Sequence, residues 1–300
     1  MVLVPQMPWK VQYLLRFSFP LVKKLCEKTY FEKFIGGRKG YDKEMLFGWL
    51  LIKKVTNWDY RSIAEVTGIS YQTLSRRNKQ FQEKHIYQKF FRHLVKKAVA
   101  LRLIKGEKVA IDSSFVKSYS GKEEMGTCGY NGHKKAYGFK LHALIDVVTQ
   151  FPIALVVTNG LMYDGHLAIP LMKRGRKYLK KNGYILADKA YDDTTLIAWI
   201  IKAFQSKAGI PMRKKSKLAK GKKNRYGNLT NWRLKAVGRT FKKSILNLRT
   251  EIERFFASIK GRFHLGKEQT RGIEAFTRNA YLSLISYCLT KFYLVGIRSF

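Results

Sequence analysis

A chain of 300 residues with 59 Lys and Arg against 20 Asp and Glu carries a formal charge of +39. Its 46% hydrophobic and 14% aromatic content is enough to bury a sizeable core, which excludes disorder as the ground state. Solubility needs only a few net charges, so a surplus this large excludes a merely soluble surface and points to a polyanionic partner, nucleic acid above all.

The first hundred residues read as helices. Residues 45–55, MLFGWLLIKKV, are dense enough in apolar positions for one buried helix. Residues 57–81 follow with a pattern: Ile63, Ala64 and Val66, then Gly68, free to take a left-handed turn, then Ser70, placed to cap a helix carrying Gln72, Thr73, Arg76 and Arg77. That is the layout of a helix-turn-helix near 58–80, whose second helix presents Tyr71, Gln72, Ser75 and Arg76 to a groove. An ordinary helical hairpin is the plainer alternative.

After a hinge at 101–108, LRLIKGEK, the period changes. Residues 109–117 alternate around Asp112, and 136–148 and 150–158 read as two more strands. A helix over 167–181, a short buried strand YILAD at 184–188 and a helix over 192–204 complete an α/β layout. The expected division is a helical DNA-binding region over 1–105 and a catalytic domain over 106–300.

Residues 202–249 hold 16 Lys and Arg and no acid, with Tyr226, Asn231 and Trp232 among them, and read as a phosphate-contacting segment with Trp232 on DNA. The longest nearly apolar window, 280–297, contains Lys291, which is costly in lipid, so it is expected as a buried helix with no membrane partner. Cys26, Cys128 and Cys288 form no Cys-x-x-Cys pair, which excludes a disulfide framework or zinc ribbon. Met1 is not followed by the segments of a secretory leader, so the chain is expected in the cytoplasm, with the nucleoid.

In so basic a chain, an acid in a strand is informative, because Asp is a poor strand former and costly to bury unpaired. Asp112 is one; Asp188 ends the apolar run of YILAD, at the carboxyl end of a strand, where open α/β sheets bind ligands. A helix is predicted over the stretch LRTEIERFFASIKGRF, 248–263. At 100° per residue Ile245, Leu248, Ile252, Phe255, Phe256 and Ile259 form one apolar stripe. Arg249, Glu253 and Lys260 share one flank of it, and Glu251 falls on the other, where it is expected to be exposed and idle. Three carboxylates in a polyanion-binding chain have a chemical purpose: they hold Mg²⁺ or Mn²⁺, two ions at full occupancy, against substrate phosphate.

On these residues the chain resembles the DDE transposases of prokaryotic insertion sequences, from about residue 108 to the end. The first Asp of that family matches Asp112 in VAIDSSFVKS, the second Asp188 in ILADKAYDD, and the Glu matches Glu253 in RTEIERFFASIK. The family's Tyr-x2-Arg-x3-Glu-x6-Lys signature is met by Arg249, Glu253 and Lys260; its Tyr position is Leu246, a departure that bears on an aromatic contact near the DNA end and not on the metal set. The stretch between the first two acids makes Asp164 a secondary candidate. The resemblance implies a ribonuclease-H-like mixed sheet flanked by helices. It also implies metal-dependent cleavage at terminal inverted repeats, strand transfer into double-stranded target DNA, phosphate contacts by Arg249 and Lys260, and a homodimer or higher assembly on DNA. The alternative from another class is a non-catalytic helix-turn-helix regulator, including a decayed transposase that only binds DNA.

Overall fold

The structure is a computed structural model, and it describes residues 9–31, 40–121, 127–211, 243–269 and 271–296. It divides into two compact units, one formed by 1–96 with 258–300 and one by 97–257.

The first unit is helical. Helices α1 (Trp9–Glu27), α2 (Lys43–Thr56), α3 (Tyr60–Thr67), α4 (Tyr71–Glu83) and α5 (Ile86–Ala100, its last turn in the second unit) follow one another along the chain. Leu15, Leu46, Trp49, Ile52, Ile63, Ile69 and Leu74 form one buried cluster from α1 to α4. The α3–α4 turn is built as its residues dictate. Asp59 caps α3 by accepting from the Ser62 N–H at 2.7 Å, and Gly68 reverses the chain at φ +67°, donating its N–H to the Ala64 carbonyl. Ser70 stands at the N-cap of α4, but its hydroxyl makes no capping bond; its carbonyl accepts from the Leu74 N–H instead, so the expected side-chain cap is replaced by the ordinary first turn of the helix. Asn78, buried on α4, accepts from the Tyr87 hydroxyl and donates to that of Tyr60, joining three helices through one amide.

The 22-residue helix at Ile273–Leu294 (α10 below) also belongs to this unit, and Ser283 on it donates to the Phe263 carbonyl. It is the buried helix expected from the apolar window, and among the described residues no helix is long and apolar enough to cross a membrane. Lys54 of α2 and Glu268 form an ion pair, with both side chains buried.

The second unit is a mixed sheet with helices. Its strands are β1 (Lys108–Lys117), β2 (Gly129–Asn131), β3 (Ala136–Asp146), β4 (Pro152–Asn159), β5 (Tyr184–Leu186) and β6 (Lys207–Gly209). The order runs β2-β3-β1-β5-β6, with β4 also paired to β3. β1 is antiparallel to β3 and parallel to β5. α6 (Asp164–Gly175) and α7 (Thr194–Phe204) follow β4 and β5, with a 3₁₀ turn at Lys189–Tyr191 between β5 and α7. The helix predicted over 248–263 is α9 (Thr250–Gly261), its last turn assigned to the first unit, and a short helix α8 (Lys243–Asn247) precedes it. α10 (Ile273–Leu294) is the last helix.

One acid was not anticipated. Asp146, at the end of β3, is fully buried and accepts backbone N–H bonds from Lys105 and Gly106 at 2.9 and 3.0 Å, and from Val148 and Thr149 at 3.0 and 3.4 Å. It ties the hinge before β1 to the turn after β3, and all its lone pairs are used. Gly106, at φ +68°, is needed there, because a Cβ would strike the Tyr178 carbonyl.

Candidate active site

The sheet register brings the first two acids together. Ala110 of β1 faces Leu186 of β5 in a parallel pairing, and continuing that register two residues past the end of β5 sets Asp112 level with Asp188, whose charge acts on the Asp112 carboxyl. Asp188 caps the 3₁₀ turn, its Oδ1 accepting from the Ala190 N–H at 2.8 Å. Asp112 keeps 18% of its side chain exposed; its Oδ1 accepts from the Ser113 N–H at 2.7 Å. Burial pushes its carboxyl from 3.8 up to about 7, against the lowering effect of that hydrogen bond, with the charge of Asp188 adding to the rise and Arg249 opposing it.

Arg249 comes from the break between α8 and α9, where Leu248 and Arg249 donate to carbonyls three residues back. Arg249 nonetheless meets Glu253 one helical turn on, the flank on which the sequence places both. Its Nη1 lies 2.8 Å from Glu253 Oε1 and 3.8 Å from Asp112 Oδ2, so one guanidinium stands between the two carboxylates. Glu253 is 54% exposed. Glu251 is the less exposed of the helix pair, at 18%, and accepts from Gln150 Nε2 at 2.6 Å and Arg254 Nη1 at 2.5 Å. The expectation that Glu251 is exposed and idle is corrected: it ties α9 to the β3–β4 turn, a partner 101 residues away that helix geometry cannot reveal.

Asp164, in the first turn of α6, accepts from Lys140 Nζ at 3.0 Å and lies 3.8 Å from His142 Nδ1. Lys140 also donates to the Met162 carbonyl, and His142 Nε2 meets Thr158 Oγ1 at 2.9 Å. Burial lowers the imidazole to about 4, so His142 is neutral at pH 7. His142 is cross-strand partner to Ser113, and Asp112 to Ala143, so by strand alternation Asp112 and His142 occupy opposite faces of the sheet. Lys140 and His142 drew no notice in sequence because both read as ordinary members of an alternating strand; a charged residue two places from a His in a strand was the available signal. Tyr191, which closes the turn after Asp188, was missed too.

Among the described residues, no three Asp, Glu, His or Cys side chains stand close enough to hold a metal ion together. The donor set the fold does assemble is the pair Asp112 and Asp188. One or two carboxylates completed by phosphate oxygens and water are the usual Mg²⁺ set in phosphoryl-transfer sites, so the pair fits a divalent ion that binds together with its substrate.

The family model described as "Transposase DDE domain" matches residues 104–289. The chain belongs to the transposase DDE domain family. No curated protein matches it. Two solved structures that resemble this DDE domain protein are a cryo-EM structure of piggyBac transposase in a synaptic complex with hairpin DNA and Mos1 transposase in a paired-end complex with the left transposon end. The first is 13% identical, covers 95% of this chain and 79% of its own, and has a TM-score of 0.40. The second is 11% identical, covers 78% and 82%, and has a TM-score of 0.24.

The remaining predicted contacts of this DDE protein are spread along it. On α4, Tyr71, Gln72, Ser75 and Arg76 are exposed, while Leu74, Asn78 and Phe81 turn inward. Thr73 and Arg77 are half-buried, and the Arg77 guanidinium lies 5.7 Å from the Phe31 ring centroid, which makes Arg77 a packing residue of the helical unit before it is a groove contact. Lys260 sits in the last turn of α9, in the first unit. Trp232, Tyr226 and Asn231, with residues 212–242 of the basic tract, lie outside the described residues.

Proposed function

We propose that this protein is an insertion-sequence transposase that cleaves DNA at terminal inverted repeats and joins the freed 3′ end to target DNA. The observation that carries the reading is the parallel register of β1 and β5, which sets Asp112 level with Asp188 just past the carboxyl end of β5, in a chain of the DDE family. Asp112 and Asp188 would hold Mg²⁺ or Mn²⁺, with Glu253 as the third acid of the family's set. The bound ion supplies activation of an oxygen nucleophile and stabilisation of the leaving oxygen. Arg249, already shared by Asp112 and Glu253, is placed to transfer its charge to a DNA phosphate.

The mixed sheet with the first acid on a central strand supports a ribonuclease-H-like catalytic domain built on β1 to β6; residues 258–300, assigned to it from sequence, cluster with the helical unit. The exposed row Gln72, Ser75 and Arg76 behind a glycine turn supports a DNA-reading role for the amino-terminal helices. The basic tract, Trp232 included, would add sequence-blind affinity, and the protein would act on DNA as a homodimer or larger assembly.

The test is cleavage of a duplex carrying the element's terminal repeat. Nicking should need Mg²⁺ or Mn²⁺ and vanish in Asp112→Ala and Asp188→Ala, with binding of the duplex kept. Cleavage without a divalent ion, or undiminished in either variant, would sink the reading.

A further inference from the structure

Tyr191 is 1% exposed, and its hydroxyl has no hydrogen-bond partner among the described residues. A buried hydroxyl left unpaired is unfavourable, and a phenylalanine of the same shape would fill an apolar slot as well. The oxygen therefore calls for a reason.

Its surroundings supply one. Tyr191 closes the 3₁₀ turn that begins after Asp188, and the turn is held from two sides. The Asp188 carboxylate accepts from the Ala190 N–H and the Asp188 carbonyl from the Tyr191 N–H. The Tyr163 hydroxyl, from the residue before α6, donates to the Ala190 carbonyl at 2.7 Å. The ring is thus fixed where it stands. Burial above all, with the charges of Asp112, Asp164 and Asp188 and the Tyr163 hydroxyl adding to it, keeps its hydroxyl protonated, a donor, far above neutral pH. Asp112, two residues along β1 from the residue paired with the end of β5, has acceptor capacity to spare: its Oδ1 accepts from Ser113, while its Oδ2 faces Arg249 at 3.8 Å, beyond hydrogen-bond range.

We propose that the Tyr191 hydroxyl is a positioning donor, which takes up a carboxylate oxygen of Asp112 or Asp188 when those two acids turn to face a divalent cation and DNA phosphate. The inference rests on the reading of the Asp112 and Asp188 pair given above. Carboxylates that bind metals are themselves held by hydrogen bonds from behind, and loss of such a partner weakens metal affinity by roughly 10- to 100-fold. With the acids engaged on an ion, the hydroxyl would gain its acceptor.

The experiment uses the full-length, metal-free protein titrated with MnCl₂ by calorimetry in the presence of a terminal-repeat duplex whose scissile phosphate has been made uncleavable. Thermal unfolding of each metal-free protein is measured alongside. Tyr191→Phe should bind Mn²⁺ roughly tenfold or more weakly than wild type while unfolding at the same temperature or higher, since only an unpaired oxygen has been removed. On cleavable duplex, raising Mn²⁺ should restore its rate, a rescue that a fold defect would not show. Mn²⁺ affinity within about threefold of wild type, or weakened binding that tracks a lowered unfolding temperature, overturns the inference and leaves the site reading in place. If wild type and Asp112→Asn take up Mn²⁺ equally, the reading of the acid pair is itself wrong, and the role of Tyr191 falls with it.

Discussion

Asp112→Asn should stabilise the metal-free protein, and only above a certain pH. The substitution keeps shape and keeps an Oδ1 for the Ser113 N–H, which now donates at 2.7 Å; what it removes is a charge that burial and Asp188 disfavour. Well below pH 3.8, Asp112 is protonated in both folded and unfolded chains, so the aspartate and the asparagine are equivalent. As pH rises from 3.8 to about 7 the unfolded chain ionises while the folded one resists, so wild-type stability falls through that window and levels off above it. At about 1.4 kcal/mol per tenfold difference in proton affinity, the full displacement is roughly 4 kcal/mol at most. Water reaching the 18% exposed side chain screens part of it, and about 2 kcal/mol is the expected gain at pH 8. Urea unfolding in EDTA at pH 4.5, 6 and 8 measures this: the midpoint difference between variant and wild type should open with pH to about 1 M. A difference that stays flat with pH, or a variant less stable than wild type at pH 8, would refute the reasoning.

Asp146→Ala leaves the hinge N–H groups of Lys105 and the buried Gly106 without an acceptor and should cost about 3 kcal/mol or more by urea unfolding, with Asp146→Asn recovering part; a loss under ~1 kcal/mol would contradict the clamp. Glu253→Gln should lower cleavage by about a hundredfold or more with little change in unfolding midpoint, because an exposed pair with Arg249 contributes little to stability. Glu251→Gln should cleave near the wild-type rate yet unfold about 0.5–1.5 kcal/mol sooner through its weakened tie to Gln150, and cleavage losses equal at the two positions would show the wrong glutamate has been chosen. Gln72→Ala and Arg76→Ala should each reduce discrimination between terminal-repeat and random duplex by about 1–3 kcal/mol in competition binding, while random-duplex affinity falls less; uniform loss on both would mean they touch backbone only.

What the sequence revealed and concealed follows from the range of the forces involved. β1, β3 and β4 were legible because each holds eight or more residues rich in apolar and β-branched side chains, whereas β2 and β6, with three residues each, are too short to show any pattern. Asp112 and Asp188 stood out by the chemistry of an acid in an apolar strand. Asp146, in the run ALID, satisfied the same criterion, and its role was hidden only because the N–H groups that hold it lie 40 and 41 residues upstream. Glu251 was misjudged for the same reason: a helical wheel orders residues around one axis and says nothing of a glutamine on a distant turn. Tyr191 carries no sequence signal, since an aromatic three places after an acid is commonplace and only the missing partner sets it apart.

The clamp at Asp146 also constrains how this gene can change length. By holding Lys105 and Gly106 directly, and with Val109 paired to Asp146 itself, it fixes the phase in which β1 enters the sheet. Because strand side chains alternate, a one-residue insertion or deletion between Gly106 and Asp112 would not merely shift the acid along the strand: it would present it on the opposite face, away from Asp188. Two-residue changes would preserve the face and lose only the alignment. Length variation in this short interval is therefore expected to be absent, or even-numbered, in any descendant that keeps Asp112 on the face of Asp188.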